Sequence, residues 1–268
     1  MMGPKSTAFK VTVSLLLMGL FLPVVGFAQE KASGTVQEAT PPNDEELLGK
    51  AFGLIQKGAF KEARPILQGI VDRLKEKPAL PYVENNTLHM YSHDQSEIIA
   101  FSTLDQLPEE KRKELKEKVW PWAIELEKTH PWKNISFENP ILPTAYFALA
   151  HICTEEGDLK KAMENLKSSV AAWPDYTMAY GEIVYLLIGQ KNFEEAKRVA
   201  QEAIDKHCQF SPVGRSRLCR HLGYIAIEEG EFDKAEGLFN ESLKLEPDNP
   251  SAKQELEYIK QQREKKKQ

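Results

Sequence analysis

The sequence predicts an all-α protein built from helix pairs that stack side by side, and three observations lead to this fold class. The stretch from Arg217 to Asn249 has the pattern of two short amphipathic helices joined by a turn at Gly230. Its small residues Gly223 and Ala235 occupy mid-helix positions, where two helices would cross. The pattern recurs, and its alanine markers are Ala63, Ala162, Ala196 and Ala235. Because one such pair cannot bury its apolar face alone, we expect the copies to stack on one another.

Equivalent positions of the four copies carry similar residues. Small or apolar residues lie twelve positions before the markers, and apolar residues lie three positions before them. In chain order these are Ala51, Ala150, Val184 and Gly223, and then Phe60, Leu159, Phe193 and Phe232. Glycines occupy three of the turns between helices, whereas the third copy has Lys191 there. The marker spacing is 34 residues from Ala162 to Ala196 but 39 to Ala235, so we expect about five extra residues to lengthen the turn around 210–214.

This pattern resembles the tetratricopeptide repeat (TPR), whose small residue, alanine, aromatic residue and closing proline recur with a period of 34 residues. The resemblance implies a TPR-type α-solenoid of antiparallel helix pairs. The predicted repeats are 44–77, 143–176, 177–210 and 216–249. The closing proline is present as Pro174 and Pro247 in the second and fourth copies only. Residues 250–268 are predicted to form a C-terminal capping helix and a basic tail.

Residues 78–142 break the pattern and are predicted to be an irregular, mostly helical insertion after the first repeat. Within it, 81–112 can be aligned as a degenerate repeat with Ala100 at the marker position. A β-hairpin from Thr87 to Phe101 fits this part nearly as well, because apolar and polar residues alternate there. A further helix is predicted from Pro108 to about Lys128, with a kink at the proline of Trp120-Pro121-Trp122.

The N-terminus has the pattern of a secretory signal peptide. Two lysines precede an apolar run from Val11 to Phe27, and Gly26 and Ala28 are the small residues of a cleavage site. We therefore expect residues 1–28 to be removed after Ala28 and the protein to be periplasmic or secreted; the alternative is an uncleaved anchor. Residues 29–43 are polar and are expected to form a disordered leader. After cleavage no integral membrane span is expected.

Charge and motifs exclude several classes of function. Removal of residues 1–28 takes away two lysines and no acid, which changes the formal net charge from −5 to −7 and argues against nucleic acid as a partner. Phosphate-loop, nucleophile-elbow and zinc-protease motifs are missing from the sequence, so neither catalysis nor a cofactor is expected. The alternative is a metal-binding or enzymatic insertion that uses His89, His93 and Asp94, since two histidines four residues apart share one face of a helix.

The three cysteines are few for a secreted scaffold. Cys153 is expected to be a buried free thiol inside a repeat helix. Cys208 and Cys219 lie on either side of the lengthened turn and are candidates for a disulfide in an oxidising compartment, although sequence alone gives no Cα separation for this pair.

The TPR resemblance implies that a protein or peptide binds in a groove lined by the first helix of each repeat. The groove positions carried over to this chain are Phe52, Phe147, His151, Met178, Tyr185, Ile188, Arg217, Arg220, Tyr224 and Ile227. The Lys and Asn residues of the family's carboxylate clamp are missing, which disfavours the acidic tails of cytosolic chaperones as ligands. The lining suits an amphipathic helix or an extended peptide. The alternative is that Trp120, Trp122 and Trp132 of the insertion fill the groove. The predicted function is a non-enzymatic adaptor of the cell envelope.

Overall fold

A computed structural model describes residues 42–78, 80–92 and 95–267 of the chain. The predicted signal peptide (1–28) and the leader up to Pro41 lie outside these residues. The elements in chain order are α1 (Asp44–Gln56), α2 (Phe60–Leu74), β1 (Tyr82–Glu84), β2 (Thr87–Tyr91), α3 (Gln95–Ser102), α4 (Glu109–Val119), α5 (Pro121–Thr129), β3 (Asn134–Glu138), α6 (Ile141–Glu155), α7 (Leu159–Ala172), α8 (Thr177–Gly189), α9 (Phe193–His207), α10 (Pro212–Glu228), α11 (Phe232–Leu245) and α12 (Pro250–Lys267).

Four antiparallel helix pairs form a continuous stack. The pairs are α1 with α2, α6 with α7, α8 with α9, and α10 with α11. The first pair packs directly on α6 although the insertion separates them in sequence. The later pairs contact one another through α7 and α8, through α8 and α10, and through α9 and α10, and α12 covers the last pair. The predicted fold class, an all-α solenoid of helix pairs, is confirmed.

The marker alanines are buried within the helix pairs. Ala63, Ala162, Ala196 and Ala235 are all fully buried. In the last pair the helices approach so closely that a Cβ atom at Gly223 would lie 2.9 Å from ring carbons of Phe239. Small residues therefore set the distance between helices, and larger apolar residues such as Phe239 fill the space beside them.

The turns inside the pairs need a residue with positive φ, which explains their glycines. Gly58, Gly157 and Gly230 have φ values of 71°, 81° and 79°. Lys191 occupies the equivalent turn of the third pair and adopts φ 59°. A non-glycine residue in this left-handed region is strained by contact between its Cβ atom and the backbone.

We therefore expect Lys191→Gly to stabilise the protein by about 0.5–1 kcal/mol, because relief of the left-handed strain exceeds the extra chain entropy of glycine. Urea unfolding followed by circular dichroism measures the change. Lys57→Gly is the matched control, since Lys57 follows α1 with a φ of −89° and has no such strain to lose. Equal effects of the two substitutions would contradict this explanation.

Four of the five extra residues of the 39-residue step lie in helix α10, not in the turn that was predicted to be longer. The connection between α9 and α10 is residues 208–211, as short as residues 173–176 between α7 and α8. Helix α10 has 17 residues, whereas α8 has 13. Ser211 starts α10 early, because its side chain accepts a hydrogen bond from the Gly214 amide and Pro212 suits the first helical position.

The insertion contains a three-stranded sheet, so the alternative of a degenerate repeat over 81–112 is wrong. Strands β1 and β2 form an antiparallel hairpin, and β3 joins β2 in parallel. Asn85 and Asn86 form the two-residue turn with φ values of 50° and 60°, which asparagine tolerates well. The alternative hairpin from Thr87 to Phe101 is correct for its first strand, which is β2. It is wrong for its second strand, because β2 pairs with β1 and the residues from Gln95 to Ser102 form α3.

The insertion has a small core of its own, and the helix predicted from Pro108 to about Lys128 is two helices. Trp120 separates α4 from α5, because Pro121 begins a new helix instead of kinking one. Trp120 is 2% exposed and lies at the centre of this core. Its buried neighbours come from both the sheet and the helices: Leu88, Met90, Phe101, Leu104 and Ala123.

The last helix caps the stack and extends further than predicted. Ala252 and Ile259 of α12 are buried against the core of the last repeat. Residues 250–268 were predicted to be a capping helix followed by a basic tail, and the helix α12 itself continues to Lys267. Arg263 holds this part of α12 to α11 through Asp233 and Glu236. Among the described helices, none has the length and apolarity needed to cross a membrane.

Candidate protein-binding surface

The candidate site is the side of the stack formed by the first helix of each pair, which we call the first-helix face. Helix α1 contacts α6, α8 contacts α10, and α10 contacts α12. Tyr176, just before α8, joins α8 to α6: its ring meets that of Phe147 edge-on at 5.7 Å, and its hydroxyl accepts a hydrogen bond from Thr144 Oγ1 at 3.4 Å. The face therefore runs along neighbouring helices of successive repeats.

The ten predicted groove residues divide into two groups by exposure. Six side chains are partly exposed on their first helices and remain candidates for contact with a partner: Phe52, His151, Met178, Tyr185, Arg220 and Tyr224. The other four are buried, with exposures of 8%, 4%, 6% and 9%: Phe147, Ile188, Arg217 and Ile227. These four side chains pack between helices of the stack, so they are part of its core and are not accessible to a partner.

Arg217 is a buried structural residue. Its Nη1 donates a hydrogen bond to Glu182 Oε1 of the preceding repeat at 3.1 Å. The side chain passes Gly181 so closely that a Cβ atom there would lie 2.5 Å from Arg217 Cδ. Burial lowers the pKa of Arg217 from its usual value, and Glu182 opposes this shift. The arginine thus links two repeats and does not present a free charge to a partner.

Arg220 is also engaged within the chain. Its Nη1 donates hydrogen bonds to the hydroxyls of Ser216 and Ser242 at 2.8 and 3.1 Å, and to Glu246 Oε2 at 2.6 Å. These contacts fix α10 to the end of α11. Both arginines of the predicted groove are therefore neutralised by carboxylates of their own chain.

Histidine and aromatic rings connect adjacent repeats along the face. The ring of Phe60 meets that of His151 edge-on at 6.3 Å, and Tyr185 lies 6.4 Å from His221. Burial, followed by the nearby Arg217 and Arg220, lowers the pKa of His221 to about 3. His221 is therefore neutral in the folded protein at neutral pH.

This low pKa predicts a loss of stability in mild acid. An unfolded chain protonates His221 near pH 6.5, whereas the folded protein resists protonation down to about pH 3. The free energy of unfolding is therefore not reduced by His221 well above pH 6.5. It falls as the pH drops, by about 1 kcal/mol between pH 6.5 and 5.5, because only the unfolded chain gains the proton. Chemical unfolding of the wild type and His221→Gln at both pH values measures it. We expect a smaller loss for the variant, and His130→Gln, at an exposed position, should behave as the wild type.

Sequence reasoning assigned no binding role to Glu182, Glu228 and Glu255, which together with Glu155 accompany rings on this side of the stack. Glu155 lies four residues after His151, and Glu228 lies four residues after Tyr224. The other two precede their tyrosines by three residues, as Glu182 before Tyr185 and Glu255 before Tyr258. Residues three or four apart share a helix face, so this spacing was the signal available in the sequence. We call these four carboxylates with their rings the acidic–aromatic strip.

The insertion packs on the ends of the second helices. Trp120 stacks on Phe210, which follows α9, with ring centroids 5.3 Å apart. Tyr91 contacts Trp173, which follows α7, at 5.2 Å. Trp122 stacks on Phe101 inside the insertion, and Lys116 lies over the ring of Trp132. These tryptophans therefore belong to the insertion and to its junction with the second helices.

The predicted disulfide is not formed, since all three cysteines are free and buried. Burial raises the pKa of Cys208 to about 12 and that of Cys219 to about 11. Cys208 immediately follows α9, whereas the early start of α10 places Cys219 two turns into that helix. Cys153 behaves as expected, and its sulfur accepts long hydrogen bonds from Arg64 and Asn165.

The alternative metal site loses its geometric basis. His89 lies on strand β2, so the helical spacing that would align it with His93 does not apply. Its Nδ1 is 2.8 Å from Glu138 Oε1, and its ring stacks on Tyr82. His93 and Asp94 lie outside the described residues. Within the part of the chain that the structure describes, no group of three or more His, Cys, Asp or Glu side chains is placed to hold a metal ion.

Comparison with known proteins identifies the class of the repeats. Two segments match tetratricopeptide-repeat family models, residues 143–175 and 216–249. These segments correspond to the α6–α7 and α10–α11 pairs, so these two pairs of the all-α solenoid are tetratricopeptide repeats. Domains of this class generally bind protein partners and are generally non-enzymatic.

Similar solved structures have low sequence identity to this chain. The pilF protein of Pseudomonas aeruginosa is 18% identical over 82% of this chain and 69% of its own, with a TM-score of 0.49. A thermophilic TPR protein of Thermus thermophilus is 14% identical over 81% of this chain and 98% of its own, with a TM-score of 0.35. A tetratricopeptide repeat protein of Parabacteroides merdae is 16% identical over 81% of this chain and 72% of its own, also with a TM-score of 0.35. No significant match was found among curated proteins.

Proposed function

We propose that this protein is a non-enzymatic adaptor of the cell envelope that binds a polypeptide segment of a partner on its first-helix face. The observation that carries this proposal is the row of partly exposed rings on consecutive first helices: His151 on α6, Tyr185 on α8 and Tyr224 on α10. Aromatic side chains that are held in place by neighbouring helices are frequent anchors in protein interfaces. Their spacing along the stack suits a helix or an extended peptide.

The binding role is tested with the full chain as bait in an envelope extract of the producing cells. Replacing Tyr185 and Tyr224 together by Ala should weaken capture of the partner roughly tenfold or more, since each aromatic anchor contributes about 1 kcal/mol or more. Quantitative mass spectrometry of the captured proteins measures the effect. Circular dichroism must show that the variant remains folded.

A matched control replaces two partly exposed tyrosines elsewhere. Tyr82 lies on the sheet, and Tyr146 lies on α6 beside the cleft between the insertion and the repeats. The Tyr82→Ala, Tyr146→Ala variant should capture the partner as the wild type does. Capture that is unchanged in the Tyr185, Tyr224 variant would refute the assignment of binding to the first-helix face.

The envelope location is supported by the signal-peptide pattern of residues 1–28. Expression of the full chain in a bacterial host, followed by fractionation and N-terminal sequencing, tests it. We expect a periplasmic or secreted product that begins at Gln29. The Ala28→Arg variant should keep the precursor uncleaved, because the cleavage site requires a small residue at that position. A cytoplasmic product that retains residue 1 would contradict export.

A further inference from the structure

We propose that the first-helix face selects partner segments rich in lysine and arginine, which the acidic–aromatic strip binds. This inference rests on the proposed function and specifies the chemistry of the partner. Arg217 and Arg220 do not oppose such a segment, because both are occupied by carboxylates within the chain.

The acids of the strip are distributed over four alternate helices of the stack. Glu155 ends α6, Glu182 lies on α8, Glu228 ends α10 and Glu255 lies on α12. Glu155 and Glu228 are exposed, whereas Glu182 and Glu255 are partly buried. Each acid accompanies a ring on its own helix, so an elongated segment that crosses the helices would meet rings and carboxylates alternately.

The acids also act across helix boundaries. Burial lowers the pKa of His151 on α6, and the charge of Glu182 on α8 opposes that shift. Burial raises the pKa of Tyr185 on α8, and the charge of Glu155 on α6 adds to that shift. At the other end, Glu228 and Glu255 both act on Tyr224. The strip therefore forms two neighbouring clusters, one between α6 and α8 and one between α10 and α12.

Positive charge is missing from two of these helices and paired on a third, whereas α12 carries six lysines and arginines. Of these six, Lys253 and Arg263 bind acidic partners of the chain. Helices α6 and α8 contain no lysine or arginine. The three arginines of α10 each have an acidic partner, since Arg215 binds Glu241, Arg217 binds Glu182 and Arg220 binds Glu246. Of the four acids, Glu182 is thus balanced by Arg217.

The environment of Glu255 disfavours its negative charge. Burial, followed by the neighbouring Glu228, raises the pKa of the Glu255 carboxyl. A carboxylate in this position is stabilised by a cation that approaches from outside.

The rings add a second reason for a cationic partner. Tyr185, Tyr224 and Tyr258 are accompanied by Glu182, Glu228 and Glu255, and Tyr258 is 40% exposed. A lysine or arginine side chain can lie on a tyrosine ring while its charged end pairs with the adjacent carboxylate. An acidic segment would meet like charges at the same positions and be repelled.

Fluorescence anisotropy with two labelled peptides tests the charge preference of the full chain. Both peptides are amphipathic and about 14 residues long, or four helical turns, with leucine on one face. One carries lysine on the other face and its counterpart carries glutamate. We expect the lysine peptide to bind at least about tenfold more tightly. Raising the salt from about 0.1 M to about 1 M should weaken it, because the screening length falls from about 10 Å to about 3 Å. Equal binding of the two peptides would overturn the proposal.

Neutralisation of the strip distinguishes a local site from the overall negative charge of the protein. The variant Glu155→Gln, Glu228→Gln, Glu255→Gln should bind the lysine peptide roughly tenfold more weakly, as expected for the loss of three charge pairs at the surface. The control Glu62→Gln, Glu110→Gln, Glu114→Gln makes the same change of net charge at exposed positions on α2 and α4. We expect the control to change affinity less than twofold. Equal effects of the two triple variants would overturn the assignment to the strip.

Failure of the cationic-partner proposal can be distinguished from failure of the proposed function. Capture of the natural partner that requires Tyr185 and Tyr224, together with no preference for the lysine peptide, would leave the first-helix face in place and refute the cationic partner. Preference for the lysine peptide that is lost in the strip variant supports the inference. The Tyr185→Ala, Tyr224→Ala variant in the same titration then shows whether the rings share the site, and undiminished affinity would refute their part in it.

Discussion

Phe239→Ala is expected to destabilise the protein by about 3–5 kcal/mol, because it removes a ring that fills the crossing of α10 and α11. Phe239 is 1% exposed and packs with Ala226, Ala235, Ala252 and Ile259. Since each repeat of a solenoid contacts only its neighbours, the loss should appear first in the last repeat and α12. Urea unfolding followed by circular dichroism should show an early transition that the wild type lacks. Leu159→Ala, at a position 40% exposed, is the control and should cost less than about 0.5 kcal/mol.

A double-mutant cycle with Gly223 tests the geometry behind this expectation. Gly223→Ala alone should be destabilising, because the new Cβ atom would lie 2.9 Å from the Phe239 ring. In the Phe239→Ala background the same methyl group enters the vacated space, so its cost should disappear or reverse. Additive effects would show that the two helices do not approach as described.

Trp120→Ala is expected to cost a similar amount, about 3–5 kcal/mol, and to loosen the insertion from the repeats. Trp120 stacks on Phe210 at 5.3 Å and meets Phe101 edge-on at 4.9 Å. Its Nε1 also donates a hydrogen bond to the buried Glu97 at 3.1 Å. Thermal unfolding and hydrogen exchange of the 82–138 segment measure the loss.

Two further substitutions separate the contributions of Trp120. Trp120→Phe keeps an aromatic ring but removes the donor to Glu97, so its cost should be smaller, about 1–3 kcal/mol. Trp132→Ala changes a partly exposed tryptophan of the same insertion and should cost less than Trp120→Ala. A cost below about 1 kcal/mol for Trp120→Ala would contradict its central position in this core.

The repeat architecture was predictable because its determinants are local. Marker alanines such as Ala162 and Ala235 and the turn glycines recur at fixed spacings, and such spacings are visible in one sequence. The insertion was less predictable, because β2 pairs with β3 across α3, α4 and α5. Such a nonlocal pairing leaves no periodic signal. Only the first strand of the hairpin could be placed from its alternation.

The candidate site is a prediction from resemblance, which assigns it to α1, α6, α8 and α10. Resemblance could not show that Arg217 reaches Glu182, 35 residues earlier in the chain. Nor could spacing reveal that α10 starts early and takes Cys219 into the helix, away from the turn. The acids of the strip were present in the sequence but became meaningful only once α6, α8, α10 and α12 were seen to share one side of the stack.

Site-specific photo-crosslinking in the producing cells tests most directly whether the first-helix face captures a polypeptide. A photoreactive amino acid is placed at Tyr185 or Tyr224 on this face, and at the exposed Lys160 or Lys244 on the second helices α7 and α11. The account predicts crosslinks to one partner protein, within a basic segment, from positions 185 and 224 only. Crosslinks to that partner from positions 160 and 244, with none from 185 and 224, would contradict it.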